Sequence, residues 1–206
     1  MDGLIGAAYN HLTFLIYYYA CTAVMMLSVI ALFIAIFIDF MKYNDKNGVK
    51  KAKKSIVATG SMVGFYVVYY FVIRFRISAF PYDLLIYYFI GTIMVFTGAV
   101  INILGRLQLK DNWANHIKIY EGHTLVSRGV YKIVRHPLYA SLMLMLFGGS
   151  VAYRNWLSAA LTAFVFIPFM YYRAKQEETL LSEEFAEYAE YKKNTGMFFP
   201  KLRRRM

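Results

Sequence analysis

The chain has 206 residues, of which 59% are hydrophobic and 18% aromatic, with 23 Lys and Arg against 12 Asp and Glu. A mean hydropathy of +0.43 is too apolar for an ordinary soluble domain, so the composition predicts a membrane protein. The net charge of +11 does not form a nucleic-acid face, because the basic residues sit between apolar segments, and the single Cys21 excludes an internal disulfide and a thiolate zinc site.

The first apolar run, residues 12–38, has 27 residues without a charge, more than the roughly 20 needed to cross a bilayer. No Lys or Arg precedes it, which predicts a retained first helix rather than a signal peptide, and Tyr17, Tyr18 and Tyr19 suit an interface belt. A loop with six lysines, 39–54, leads to a second run, 55–73, where Gly60 and Gly64 have the spacing of a close helix contact. After a connection containing Pro81 comes a third run, 84–104, with Gly91 and Gly98 one heptad apart as a packing face. Residues 105–137 form the longest polar interval, a length that points to function rather than to a linker. It holds His116, His123 and His136, which lack a metal-ligand spacing, so no metal is expected.

Runs 138–153 and 156–172 are joined only by Arg154 and Asn155, the pattern of a tight helical hairpin. Gly148 and Gly149 are expected to loosen its first helix and Pro168 to kink its second. No other breaker lies between Trp156 and Tyr191, so a last helix of about 36 residues, roughly 54 Å, should project into water. The fold class is all-α: one polytopic membrane domain over residues 1–206 with five transmembrane helices, the last two a hairpin.

Two clusters carry the chemistry. The stretch HTLVSRGVYKIVRHPLY, residues 123–139, crowds histidines, arginines and tyrosines against an apolar segment, and Pro137 can take the first position of a helix. Arg135 and His136 then stand beside a helix N-terminus, which suits a carboxylate or phosphate. In the second cluster Arg173 and Glu177 lie four apart on one helix face, followed by Glu178, where a carboxylate near the membrane needs a cation or hydroxyl to meet it. Glu183, Glu184, Glu187 and Glu190 read as a solvated face.

The run from Leu125 through Tyr139, then Glu177 and Glu178, then Phe185, Tyr188, Tyr191, Thr195 and Pro200, resembles the integral-membrane methyltransferases of the isoprenylcysteine carboxyl methyltransferase and phospholipid methyltransferase group. The resemblance covers roughly the C-terminal 85 residues. The chain departs from the family pattern at Ser141 and Ala186, where glycine is usual, which bears on helix packing. Arg-His-Pro segments also occur in membrane sterol reductases that resemble this group, so the Glu177–Glu178 pair is what decides between them.

The resemblance implies S-adenosylmethionine as cofactor and matches His123, Leu125, Val126, Gly129, Tyr131, Arg135, His136, Tyr139, Glu177 and Glu178 to the family's cofactor-binding positions. The physical roles inferred are Arg135 and His136 for a carboxylate, the glutamates for ammonium or ribose, and the aromatic and aliphatic residues for adenine. A soluble dinucleotide fold is excluded by the lack of a G-x-G-x-x-G turn. Methyl transfer needs alignment and exclusion of water rather than a nucleophilic triad. Arg173 and Glu177 are the catalytic candidates: Arg173 either steers a carboxylate substrate or neutralises Glu177.

The five runs put 20 Lys and Arg on one side and three on the other, which predicts the N-terminus outside and the C-terminus, with regions 105–137 and 173–206, in the cytoplasm. The expected activity is methyl transfer to a lipophilic acceptor at that face, with lipids as neighbours and a prenylcysteine-type carboxylate as the favoured acceptor. The alternatives are a phospholipid N-methyltransferase, an NADPH-dependent membrane reductase and a noncatalytic lipid-binding scaffold. A charge-coupled transporter fits poorly, because the runs lack Asp, Glu, Lys and Arg and no internal repeat is found.

Overall fold

The computed structural model describes residues 2–43, 49–52, 59–77, 85–112, 118–120 and 124–201. All five apolar runs are helical where described. The helices are α1 (Asp2–Tyr43), α2 (Thr59–Arg74), α3 (Leu85–Leu109) and α4 (Pro137–Ala152), followed by α5 (Trp156–Leu161), α6 (Ile167–Glu184) and α7 (Tyr188–Asn194). Among the described residues, three stretches are long and apolar enough to cross a membrane, Leu12–Asp39, Leu85–Leu109 and Trp156–Glu184, while Ser61–Arg74 and Pro137–Ala152 are shorter apolar helices. The chain is an integral membrane protein.

Among the described residues, two short strands depart from the all-helical expectation. Strand β1 (Val49–Ala52) pairs antiparallel with β2 (Lys118–Tyr120), Val49 opposite Tyr120 and Ala52 opposite Lys118. Strands of three and four residues carry too little alternation to be read from a sequence, and this ladder joins two polar connections far apart in the chain. It brings residues 49–52 and 118–120 side by side.

The helices pack through the face marked by the α3 glycines. A side chain at Gly91 would strike the backbone of Gly148 and Ala152, one at Gly98 would lie 2.8 Å from the Ser141 carbonyl, and one at Gly105 would lie 2.9 Å from Leu138. The heptad therefore runs the length of the α3–α4 contact and lets the backbones close. Ser141, where the family pattern has glycine, lies inside this contact and is buried. Gly64 meets nothing within 4 Å, so nothing among the described residues closes on it. Gly148 and Gly149 do not loosen α4, which is continuous; their missing side chains admit Met94 and the Tyr69 hydroxyl.

On the far side, Phe65, Met143, Leu146, Phe166 and Met170 form a core shared by α2, α4 and the last helix, with Met62, Tyr139 and Phe198 packed against it. The hairpin turns at Arg154, which has φ of 50°. Asn155 caps α5 by accepting from Ser158 N at 2.9 Å and donates to the carbonyls of Val72 and Ile77, which fastens the end of α2. The irregularity expected at Pro168 takes the form of a π-helical turn over Thr162–Phe166, which widens the helix where the proline ring would crowd the preceding turn.

The last helix is shorter than expected. It runs from Trp156 to Glu184 and ends at Phe185, whose backbone is extended at φ −118° and ψ 112°. Neither Gly nor Pro marks this break. The chain turns through 185–187 into α7, which buries Tyr188 and folds back toward the start of α4. At about 1.5 Å per residue the 29 residues still reach roughly 44 Å, longer than a 30 Å hydrocarbon core.

Candidate active site

The site grows from the start of α4. Pro137 occupies its first turn and His136 is its N-cap residue. Just upstream, Val134 bridges Gly196 in a parallel pair, Arg135 N donates to Gly196 O at 2.9 Å and His136 N to Met197 O at 3.1 Å. The segment after α7 is thereby zipped alongside residues 134–136 and closes one wall of the site.

Arg135, His136 and Glu178 meet in the interior. Arg135 Nε and Nη2 each lie 2.8 Å from Glu178 Oε1, and Arg135 Nη1 donates to the Thr195 carbonyl and to Lys192 O. Lys192 Nζ stands 3.0 Å from Glu178 Oε2. His136 lies between the two glutamates, Nδ1 3.5 Å from Glu177 Oε2 and Nε2 3.4 Å from Glu178 Oε1. Its ring stacks on Tyr139 at 5.7 Å and meets the edge of Phe198. Burial favours the neutral imidazole, but the contacts with Glu177 and Glu178 outweigh it and hold the His136 pKa above its ordinary value.

A second arm runs from Glu177 toward α2. Tyr139 donates its hydroxyl hydrogen to Glu177 Oε1 and accepts from Arg173 Nε at 2.9 Å. Arg173 Nε lies 3.6 Å from Glu177 Oε1, and its Nη1 is 3.9 Å from Met62 Sδ on α2. The i,i+4 pair expected from the sequence thus forms with a tyrosine wedged into it. Arg173 is only 8% exposed, so this is a buried arrangement in which losing one partner is costly. Two carboxylates face Arg135, Arg173, Lys192 and His136, an excess of cationic groups that suits an anionic ligand.

The remaining described candidates precede this cluster in the chain. Leu125 and Val126 line a cleft of about 490 Å³ with Gln108, Lys110, Ser127 and Arg128, within the size range of small-molecule sites. Gly129 and Tyr131 form a single 3-10 turn between cleft and cluster. Gly129 has φ of 60° and lies against the Gln108 amide, so glycine is required there by both backbone and space. Burial pushes the Tyr131 hydroxyl well above its usual pKa, with the Glu177 charge adding to the shift. His123 lies outside the described residues. Lys192, which reading the sequence overlooked, and Tyr191, which donates to Tyr131 O at 2.6 Å, complete the assembly from α7.

A methyl donor with an amino-acid end, ribose and a flat base needs an anion site, acceptors and an aliphatic slot. The excess cations, the glutamate oxygens and the Leu125–Val126 cleft fit those needs.

Part of the chain is similar to known proteins. Residues 82–183 match the model of the isoprenylcysteine carboxyl methyltransferase (ICMT) family. A rice protein (Oryza sativa subsp. indica), "probable protein-S-isoprenylcysteine O-methyltransferase", is 33% identical over 116 residues, covering 54% of this chain and 61% of that protein. The Cupriavidus metallidurans "cobalt-zinc-cadmium resistance protein CzcN" is 32% identical over 106 residues, 51% of this chain and 47% of that one. The chain thus spans less than two thirds of the length of these relatives. A solved structure described as the eukaryotic intramembrane Ras methyltransferase ICMT superposes with a TM-score of 0.53 at 23% identity, over 69% of this chain and 51% of that one, and shares the fold. Residues 82–183, which supply Arg135, His136, Tyr139, Arg173, Glu177 and Glu178, are similar to the isoprenylcysteine carboxyl methyltransferase family.

Proposed function

We propose that the chain transfers a methyl group from S-adenosylmethionine to the carboxylate of a lipophilic, prenylcysteine-type acceptor at the cytoplasmic membrane face. The observation that carries the acceptor reading is the position of Arg173. Its guanidinium group has Tyr139 and Glu177 on one side and Met62 of α2 on the other, at the edge of the apolar core of Phe65, Phe166 and Met170. An acceptor with a carboxylate head and an apolar tail suits that junction, because the head meets a guanidinium and the tail stays in the bilayer.

When bound, such a donor supplies a methyl carbon already activated by its sulfonium. The chain's residues then need to bind, align and exclude water. Arg135 and His136 hold the donor's carboxylate, Glu177 and Glu178 its ammonium or ribose, and Leu125 and Val126 flank the base, with Gly129 and Tyr131 beside them; His123 is assigned to the donor by the family resemblance. Arg173 steers the acceptor carboxylate, and Tyr139 keeps Arg173 and Glu177 in register.

We read five membrane crossings with the N-terminus outside, in a single domain over residues 1–206. The lysine and arginine bias and the β1–β2 ladder, which joins the first and third connections, support that topology. The function is tested by offering purified protein and radiolabelled donor a farnesylated cysteine analogue and phosphatidylethanolamine in matched micelles. Base-labile ester on the cysteine analogue supports the reading, and base-stable N-methyl product alone rejects the carboxylate acceptor.

A further inference from the structure

Behind the charged cluster a second polar chain crosses three helices. Asn102 of α3 is fully buried, and its amide is used on both sides: Nδ2 donates to Leu138 O at 3.1 Å and to Ser141 Oγ at 2.7 Å, while Oδ1 accepts from Arg106 Nε at 2.8 Å. Arg106 Nη1 donates to Asp39 Oδ2 of α1 at 2.6 Å. Leu138 lies in the first turn of α4, whose N-cap is His136, Ser141 opens the second turn, and Tyr139 lies between them. Half a turn beyond Arg106, Gln108 accepts from Val130 N at 2.9 Å, so the end of α3 grips the 129–141 segment at both ends. A buried amide with all three of these bonds made is expensive to disturb, which makes its geometry a firm reference for the turn it holds.

We propose that Asp39, Arg106 and Asn102 form a positioning relay that sets the first turn of α4, and with it His136 and Tyr139, against Glu177 and Glu178. Asp39 precedes residues 82–183, the stretch matched by the family model, so the relay ties this chain's own first helix to the site. Its catalytic meaning rests on the methyl-transfer reading, but its geometric part does not.

The groups facing His136 are Glu177 and Glu178 from α6, Arg135 beside it, and the Tyr139 and Phe198 rings. The position of its first turn therefore reads out in its titration, followed by NMR of histidine-labelled protein in micelles and assigned with His136→Gln. Asn102→Ala should lower the His136 midpoint by about one pH unit, and Asp39→Asn should lower it less. Asp39→Glu, which keeps the charge, should retain the wild-type midpoint. Asn155→Ala, at the opposite end of α4, should lower the melting temperature and leave the midpoint in place. The relay is overturned if Asp39→Asn and Asn102→Ala leave the midpoint unchanged, whatever they do to melting. Should Asn102→Ala fail to fold, Asp39→Asn, at a partly exposed site, decides alone. If the wild type binds no S-adenosylhomocysteine yet the midpoint responds as expected, the relay stands and the methyl-transfer reading falls.

Discussion

Arg135 grips Glu178 with two nitrogens at 2.8 Å from one carboxylate oxygen, across 43 residues of sequence and with both side chains nearly excluded from solvent. The pair closes the start of α4 onto α6, and Lys192 from α7 covers the other oxygen. Removing one member leaves the other buried without its counter-charge. Glu178→Ala should cost about 3–5 kcal/mol of stability, measured by denaturant unfolding in detergent. A loss within the range of a surface substitution would show that the pair is solvated.

His136 sets a pH dependence of defined sign. Its pKa is raised in the folded protein by the two glutamates, against the opposing effect of burial. The stabilisation it adds is complete below the unfolded value, about 6.5, and is lost as pH rises through the folded value. The melting-temperature difference between wild type and His136→Gln should therefore be largest in mild acid and shrink as pH increases above about 6.5. A difference that grows with pH would mean that the buried imidazole is neutral.

The glycine heptad of α3 makes a contrast within one fold. Gly91→Ala forces a methyl group into the backbone of α4 and should cost about 1–3 kcal/mol by overpacking. Gly64→Ala, with nothing within 4 Å, should leave stability unchanged or raise it. Equal effects in thermal unfolding would contradict the closeness of the α3–α4 contact.

Topology is checked by cysteine labelling in sealed cells. Trp156→Cys, at an exposed position beside the hairpin turn, should react from outside, and Lys193→Cys, also exposed, only after permeabilisation. The reverse pattern would invert the orientation. The buried Cys21 serves as the unlabelled background.

Much of this was legible in the residues. The apolar runs, the helix start at Pro137, the hairpin at Arg154 and Asn155, the Gly91–Gly98 face and the Arg173–Glu177 pair each depend on neighbours within a helical turn or heptad, where spacing is informative. The break at Phe185 was not legible, because no Gly or Pro marks it. It exists since burying Tyr188 and placing Lys192 on Glu178 outweigh the local preference to continue the helix. The Val134–Gly196 bridge and the Asp39–Arg106 bond were hidden for the same reason: each joins residues that no local pattern relates.

The most direct test of the central claim is calorimetric titration of S-adenosylhomocysteine into the purified protein and three variants. The donor-site assignment predicts stoichiometric binding by the wild type, a loss of about 1–3 kcal/mol in His136→Ala and in Glu177→Ala, and no change in the exposed Glu190→Ala. Absence of binding by folded wild type, or equal effects of all three substitutions, would contradict it.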